Sequence, residues 1–258
     1  MSIQIASRLA YDFADPSDVL LQVEAAIIPE QTILDARIDV SQCDHFARVA
    51  AHDQIGERIW LRVQGRFTVD YRATVRIDRT IADIASLQPV PFHMLPGETV
   101  QYLMASRYCP SDLFEDFVTA EFDHLTGGAK IAAIRDWIEE SFTYTPGSST
   151  SATTALESFV QRKGVCRDYA HVLITLARAS GIPARVASVY ALGVDPQDFH
   201  AVAEVFLDGA WHLVDATGMA RPENMAKIGV GRDAADVAFL TSYGLAEFCE
   251  QSVVVTGV

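Results

Sequence analysis

The feature that most constrains this chain is a change of hydrophobic period near residue 80. Upstream, apolar residues alternate. Ile3, Ile5, Leu9, Tyr11 and Phe13 share one parity, as do Val19, Leu21, Val23, Ala25 and Ile27. Leu34, Ala36, Ile38 and Val40 form a third set, Ile59, Leu61 and Val63 a fourth, and Phe67, Val69, Tyr71, Ala73, Val75 and Ile77 a fifth. Successive side chains of a strand point to opposite faces, so this alternation marks half-buried antiparallel strands. Pro29-Glu30 and Gly56-Glu57 read as connections between them. The pattern predicts an antiparallel β-sandwich over residues 1–80. Residues 81–97, with Pro89, Pro91 and Pro96, read as an extended connector. Residues 98–258 form the second domain.

Helical stripes open that second part. Ser111 stands before Leu113, Phe114, Phe117 and Val118 as an N-cap. Ile131, Ile134, Ile138 and Phe142 make another stripe, with Trp137 at its edge. Thr154 and Glu157 have capping-box spacing, and Gly164 reads as the residue that stops that helix. A further helix is predicted from Val165-Cys166 to about Ser180, where Gly181 and Pro183 end it. Strands are expected at about 184–191, 199–207 and 210–215, the last two joined by an Asp208-Gly209 hairpin turn. The run Ser252–Thr256 reads as one more strand. The chain is therefore expected to be α+β.

Composition narrows the function classes. Hydrophobic residues at 50% and charged residues at 21% describe a globular chain. With 20 Lys+Arg against 34 Asp+Glu the net charge is −14, which disfavours nucleic acid and anionic membrane surfaces as partners. Most of the acidic excess lies beyond residue 80. No run of apolar residues is long enough to span a membrane, and the N-terminus has no basic segment followed by an apolar one. Cys43, Cys109, Cys166 and Cys249 contain no CxxC pair and are too few for a disulfide scaffold. The expected compartment is the cytoplasm, with reduced thiols. No metal-ligand cluster or calcium loop is visible, and no cofactor is expected.

One cysteine stands in a chemically suggestive place. Cys166 follows Gly164-Val165 and opens a helix, where unpaired N–H groups and the positive dipole end favour an anion such as a thiolate. Arg162, Lys163 and Arg167 add to that field. The other three cysteines lack such a setting and read as inert. If Asp208-Gly209 forms the turn, Leu207 pairs with Ala210 and Val202 lies opposite Asp215. His200 then shares a face with Asp215 as a diagonal neighbour, the arrangement of a base and its orienting carboxylate; a solvated hairpin face is the bland alternative. His212 has the opposite parity, and His171 lies off the face of Cys166 on its helix.

The segments around these residues resemble those of a known family. Arg162-Lys163-Gly164-Val165-Cys166-Arg167-Asp168-Tyr169-Ala170 resembles the G-x-C-x-D-x-A segment of the transglutaminase-like superfamily, and Gly181–Arg185 the segment after it there. Asp198–Val205 resembles the family's histidine strand and Trp211–Thr217 its aspartate strand. The match covers about 130–220, and the whole chain is similar to bacterial members with an N-terminal β domain. One departure is Val202, where the family commonly shows an aromatic residue. The resemblance implies a papain-like, transglutaminase-core α+β domain, with Cys166 as nucleophile, His200 as general base and acid, and Asp215 as orienter. A cysteine protease or amidase acting on peptide or protein amides is the expected activity. A transglutaminase using an amine acceptor and a non-catalytic binding module are the alternatives. For the oxyanion, the backbone N–H of Cys166 is one donor, and Tyr144 and Gln161 compete as another; Tyr144 reads equally well as a hydrophobic residue at a helix end. Asp168 falls in a first helical turn and reads as a structural carboxylate, with substrate contact as the alternative. Trp137 and Trp211 read as core.

Overall fold

A computed structural model describes the whole chain, residues 1–258. Four strands come first: β1 (Ser2–Leu21), β2 (Gln31–Val40), β3 (His45–Ala50) and β4 (Glu57–Ile77). The first alternating set lies in β1 and the last two in β4, and these strands pair antiparallel from Ser2↔Arg76 to Leu21↔Ile59; of the second set only Val19 and Leu21 lie in β1, which ends before Val23, Ala25 and Ile27. A register shift between Phe13 and Ser17 bends β1 without breaking it, as a bulge does. The four strands belong to one hydrogen-bonded antiparallel sheet, whose apolar core is shared with strands from the second part of the chain. In β2 a second irregularity between Ile33 and Asp35 leaves Leu34 52% exposed, so the third alternating set contributes little to that core.

Past residue 77 the connector carries short 3₁₀ turns at Ile84–Ser86, Phe92–Met94 and Gly97–Leu103. It is stitched to the C-terminal part: Asp208 N–H donates to the Gln88 carbonyl at 3.0 Å, and a Cβ on Gly181 would lie 2.7 Å from the Phe92 ring. Ser111 begins a 3₁₀ turn rather than the helix proper. The remaining elements are α1 (Glu115–Phe122), α2 (Gly127–Ser141), β5 (Thr143–Tyr144), α3 (Ala155–Gln161), β6 (Lys163–Gly164), α4 (Cys166–Ala179), β7 (Ala184–Ala191), β8 (His200–Leu207), β9 (Ala210–Val214), β10 (Met225–Gly231), β11 (Leu240–Ser242) and β12 (Glu247–Gly257). Helices and antiparallel sheets thus combine in the expected α+β class.

A four-stranded antiparallel sheet of order β10-β7-β8-β9 occupies the middle of the molecule. The helices pack on it through Leu173, Leu176 and Ala177 of α4 against Val186, Ala203 and Val205. The long sheet meets it where Tyr190, Ala226 and Ile228 join a core with Leu9, Phe67 and Val69. Burial by both neighbours explains why β7 is buried at every position and shows no alternation. The long sheet does not end near residue 80, because β11 and β12 pair with β1, with Val253 and Val255 buried. Residues 240–257 thus carry it across the expected division between 1–80 and 98–258; the free side of β1 offers them a ladder.

Polar side chains tie the two sheets together. Glu204 is 0% exposed and directly opposes Arg185 across β7 and β8. It accepts from Arg185 Nε at 2.7 Å and from Lys227 Nζ at 2.5 Å. Arg185 also reaches Asp53 at 2.8 Å, and Lys227 reaches Glu30 at 3.2 Å, both on the first sheet's loops. Gln31 exchanges hydrogen bonds with the backbone of Lys227 at 2.7 and 2.9 Å. Burial alone would raise the Glu204 carboxyl, but Lys227 and Arg185 outweigh it and hold it at about 2.

A buried ion cluster tolerates loss of one member poorly. Glu204→Ala leaves Arg185 and Lys227 buried around an uncompensated charge and should cost about 3–5 kcal/mol, read from the denaturant midpoint. A loss below about 1 kcal/mol would contradict this role. Because the folded value is depressed from 4.5 to about 2, the wild-type contribution should be complete above 4.5 and fade as pH falls through about 2.

Candidate active site

The site begins where α3 stops. The Thr154–Glu157 capping box forms, with the Thr154 N–H donating to Glu157 at 2.6 Å. The helix ends at Gln161, three residues before Gly164, and its C-cap is Arg162, which takes the left-handed conformation (φ 54°). Its guanidinium lies 4.3 Å from the ring centres of both Trp137 and Phe159, a cation–π contact that offsets the strain of a non-glycine residue there. Gly164 serves another purpose. It lies in β6, where a Cβ would stand 2.5 Å from that of Asp168.

Asp168 is 1% exposed. Its Oδ2 accepts the Val165 N–H at 2.9 Å and its Oδ1 the Arg167 guanidinium at 3.0 Å. It clamps the turn that delivers Cys166 to the first position of α4, half of a capping box. These hydrogen bonds all run within the turn, and the carboxylate is buried. Cys166 is half-buried, with Sγ 4.0 Å from the Phe199 carbonyl oxygen at the foot of β8.

The hairpin supplies the next two groups. Asp208 (φ 48°) and Gly209 (φ 76°) both take the left-handed region that a two-residue I′ turn requires. The register runs from Leu207↔Ala210 to Ala203↔Val214, which continues to Val202 opposite Asp215. His200 Nε2 and Asp215 Oδ2 are 2.9 Å apart, with side-chain exposures of 0% and 2%. Asp215 also accepts the Thr217 N–H at 2.8 Å, the Thr217 hydroxyl at 2.7 Å and the Ala220 N–H at 3.0 Å. Sequence reasoning does not single out Thr217 or Ala220. The Asp-x-Thr spacing, which forms an Asx turn here, is the local signal for Thr217; Ala220 has none.

His200 Nδ1 has no partner within hydrogen-bonding distance and is the nitrogen left for the thiol. Burial by itself lowers the imidazole, but the hydrogen bond with Asp215 and the charges of Cys166 and Asp215 outweigh it and raise His200 from 6.5 to about 10. Burial raises Asp215, yet its bonds with His200 and Thr217 hold it below the usual 3.8. Tyr144 is drawn in by β5, which pairs with β6 at Tyr144↔Gly164. Burial, and then the Cys166 charge, lift its phenol to about 12, while the Cys166 backbone N–H pulls the other way. Tyr144 thus stands beside Cys166. Gln161, its rival, is exposed at the last position of α3.

The remaining candidates lie apart. His171 is fully buried, accepts the Ala234 N–H at 3.1 Å, stacks on Tyr108 and is pushed down to about 4 by burial. His212 turns to the Leu207 carbonyl at 3.2 Å. Trp211 lies under Arg185, 4.0 Å from its guanidinium, and Trp137 packs among Phe117, Phe122 and Phe142. No three His, Cys, Asp or Glu side chains converge as a metal site. No helix is long and apolar enough to cross a membrane. A thiol at a helix start, an imidazole beside it and a carboxylate fixing the far ring nitrogen can together perform nucleophilic acyl chemistry.

Known proteins share this architecture. Residues 116–216 match the model of the transglutaminase-like superfamily. A crystal structure from Cytophaga hutchinsonii, described as a candidate cysteine protease, is 33% identical, covers 99% of this chain and 90% of its own, and superposes with a TM-score of 0.92. A Mycobacterium leprae protein described as uncharacterised is 31% identical over 124 residues, 45% of this chain and 44% of that one. A Mycobacterium tuberculosis protein, described likewise, is 34% identical over 116 residues, 39% and 37% of the two chains. The chain spans less than half the length of these mycobacterial relatives. On the family match and the near-complete likeness to the Cytophaga structure, the chain belongs to the transglutaminase-like superfamily.

Proposed function

We propose that the protein is a cysteine-dependent acyl-transfer enzyme that hydrolyses peptide or amide bonds. The observation that carries this reading is the division of labour on His200. Asp215 holds Nε2 at 2.9 Å, which leaves Nδ1 for a cysteine at a helix start. The Cys166 thiol gives its proton to His200 Nδ1, Sγ attacks the amide carbonyl carbon, and the C=O π electrons move to oxygen. As that oxyanion collapses, the C–N bond breaks and His200 gives its proton to the departing amine. Water then attacks the thioester, His200 takes its proton, and the C–S bond breaks to release the acid and the thiolate. The backbone N–H of Cys166 and the Tyr144 phenol are suited to stabilise the oxyanion. Asp215 fixes the imidazole tautomer and stabilises its charged form. An amine instead of water would make the same intermediate a transglutaminase reaction. The Cytophaga protein's description as a candidate cysteine protease supports water. The direct test is a screen of peptide and amide substrates, with release of amine expected from wild type and abolished in Cys166→Ala.

A cheaper test is alkylation by iodoacetamide at mildly acidic pH, mapped by mass spectrometry. Cys166 should be modified well ahead of the other three. Burial pushes Cys109 up to about 12, and Cys249 is raised by burial and by Asp12. Equal labelling across the cysteines would favour a binding module without turnover.

Asp215→Asn separates a three-group site from a pair. Removing the charge lets burial pull the imidazole down from about 10. The alkaline limb of the pH–rate profile should move to lower pH, and turnover should fall about tenfold or more, less than in Cys166→Ala. An unchanged alkaline limb with full turnover would show that Asp215 does not serve the histidine.

A further inference from the structure

A cavity of about 400 Å³ touches Asp215 yet is lined by neither His200 nor Cys166. That volume is in the range of small-molecule sites. Its wall joins the connector, α2, β9 and the loop after Asp215.

Charges of both signs line it. The Arg79 side chain is 7% exposed; Nε donates to Glu30 at 2.8 Å and Nη1 to the carbonyls of Pro222 and Met225 at 2.6 and 3.1 Å. Its Nη2 is buried with no acceptor, a costly state for a guanidinium N–H. Arg221, exposed on the rim, forms no ion pair. Arg135 also lines the cavity but is paired with Asp136 at 2.6 Å. Glu139 lies against the Asp215 loop, since a Cβ on Gly218 would come within 2.3 Å of its Oε1. Asp83 accepts only the N–H of Ala85, at 3.2 Å. Neither of these carboxylates is in an ion pair. The unpaired Arg221 and the one donor that Arg79 has to spare share a lining with two unneutralised carboxylates, which disfavours a simple anion or a simple cation. They suit a ligand that carries both charges. Trp211 and Ile84 add apolar wall between them.

We propose that this cavity binds a free α-amino acid. The ligand's carboxylate takes Arg221 and Nη2 of Arg79, its ammonium takes Glu139 and Asp83, and an aliphatic side chain lies on Trp211 and Ile84. Occupancy would steady the loop whose Thr217 and Ala220 N–H groups hold Asp215. An amino acid is also a product of peptide hydrolysis, a link that rests on the proposed function.

The binding itself is tested without turnover, on the full chain with Cys166 alkylated. L-leucine is titrated calorimetrically beside N-acetyl-L-leucine, which lacks the ammonium, and L-leucinamide, which lacks the carboxylate. L-leucine should bind saturably with one site. Both analogues should bind about tenfold or more weakly, as should Arg221→Ala and Glu139→Gln to L-leucine, each having lost a charged hydrogen bond. Both replaced side chains are exposed, so their melting should match wild type. Amide exchange should slow on L-leucine binding in residues 79–84 and 215–222. Absence of saturable L-leucine binding would overturn the proposal. So would analogues that bind as well as L-leucine, or normally melting variants that keep full affinity.

Discussion

The site depends on the register of one hairpin. The side-chain period of a strand is two, so a slip of one residue between β8 and β9 would send His200 and Asp215 to opposite faces. Asp208 and Gly209 prevent that slip by adopting the two left-handed conformations that close a two-residue turn. The 2.9 Å contact between His200 and Asp215 is set from the far end of the two strands. Asp215 in turn organises the chain beyond it, because Thr217 and Ala220 point their N–H groups back at its carboxylate. One turn thus sets the imidazole, the carboxylate and the loop behind them.

Cys166 reaches this pair by a separate route, which is why the rigidity of the surroundings matters. It is fixed to the sheet through α4, whose apolar face packs on β7 and β8, and to its own turn through Asp168. The middle sheet is in turn fixed to the long sheet by Glu204, Arg185 and Lys227 and by Gln31. These buried charges add little net stability over an apolar filling, but they are costly to mismatch, so they specify one docking of the two sheets. The first sheet closes the arrangement by taking β11 and β12 from the far end of the chain.

How much of this is legible in the sequence depends on how local the determinant is. The hairpin register, the start of α4 and the strands over 184–214 follow from turn chemistry, capping and apolar runs, and they stand in the structure within a residue or so. The superfamily follows from three ordered motifs. The features that escape the sequence are non-local. The bulge that turns Leu34 outward, the exposed strand β3 and the return of β12 to β1 depend on partners far along the chain. The pairing of Arg185 with Glu204 is invisible until the strands are aligned. Gly164 reads as a helix stop because glycine favours that role, yet it is small for the sake of Asp168, and Arg162 bears the left-handed turn with aromatic support. Between Tyr144 and Gln161 the sequence offers no choice; the short β5–β6 pairing decides which of them stands beside Cys166.

Activation of Cys166 as a nucleophile by His200 is the central claim, and trapping the acyl-enzyme tests it most directly. With p-nitrophenyl acetate the protein should release a burst of nitrophenol equal to one site per chain, with the acetyl group found on Cys166 by peptide mass mapping. The burst should be absent in Cys166→Ala and much slower in His200→Ala. A wild-type chain that gives no burst, or whose acetyl group is spread over Cys43 and Cys249 at the same rate as Cys166, would contradict it.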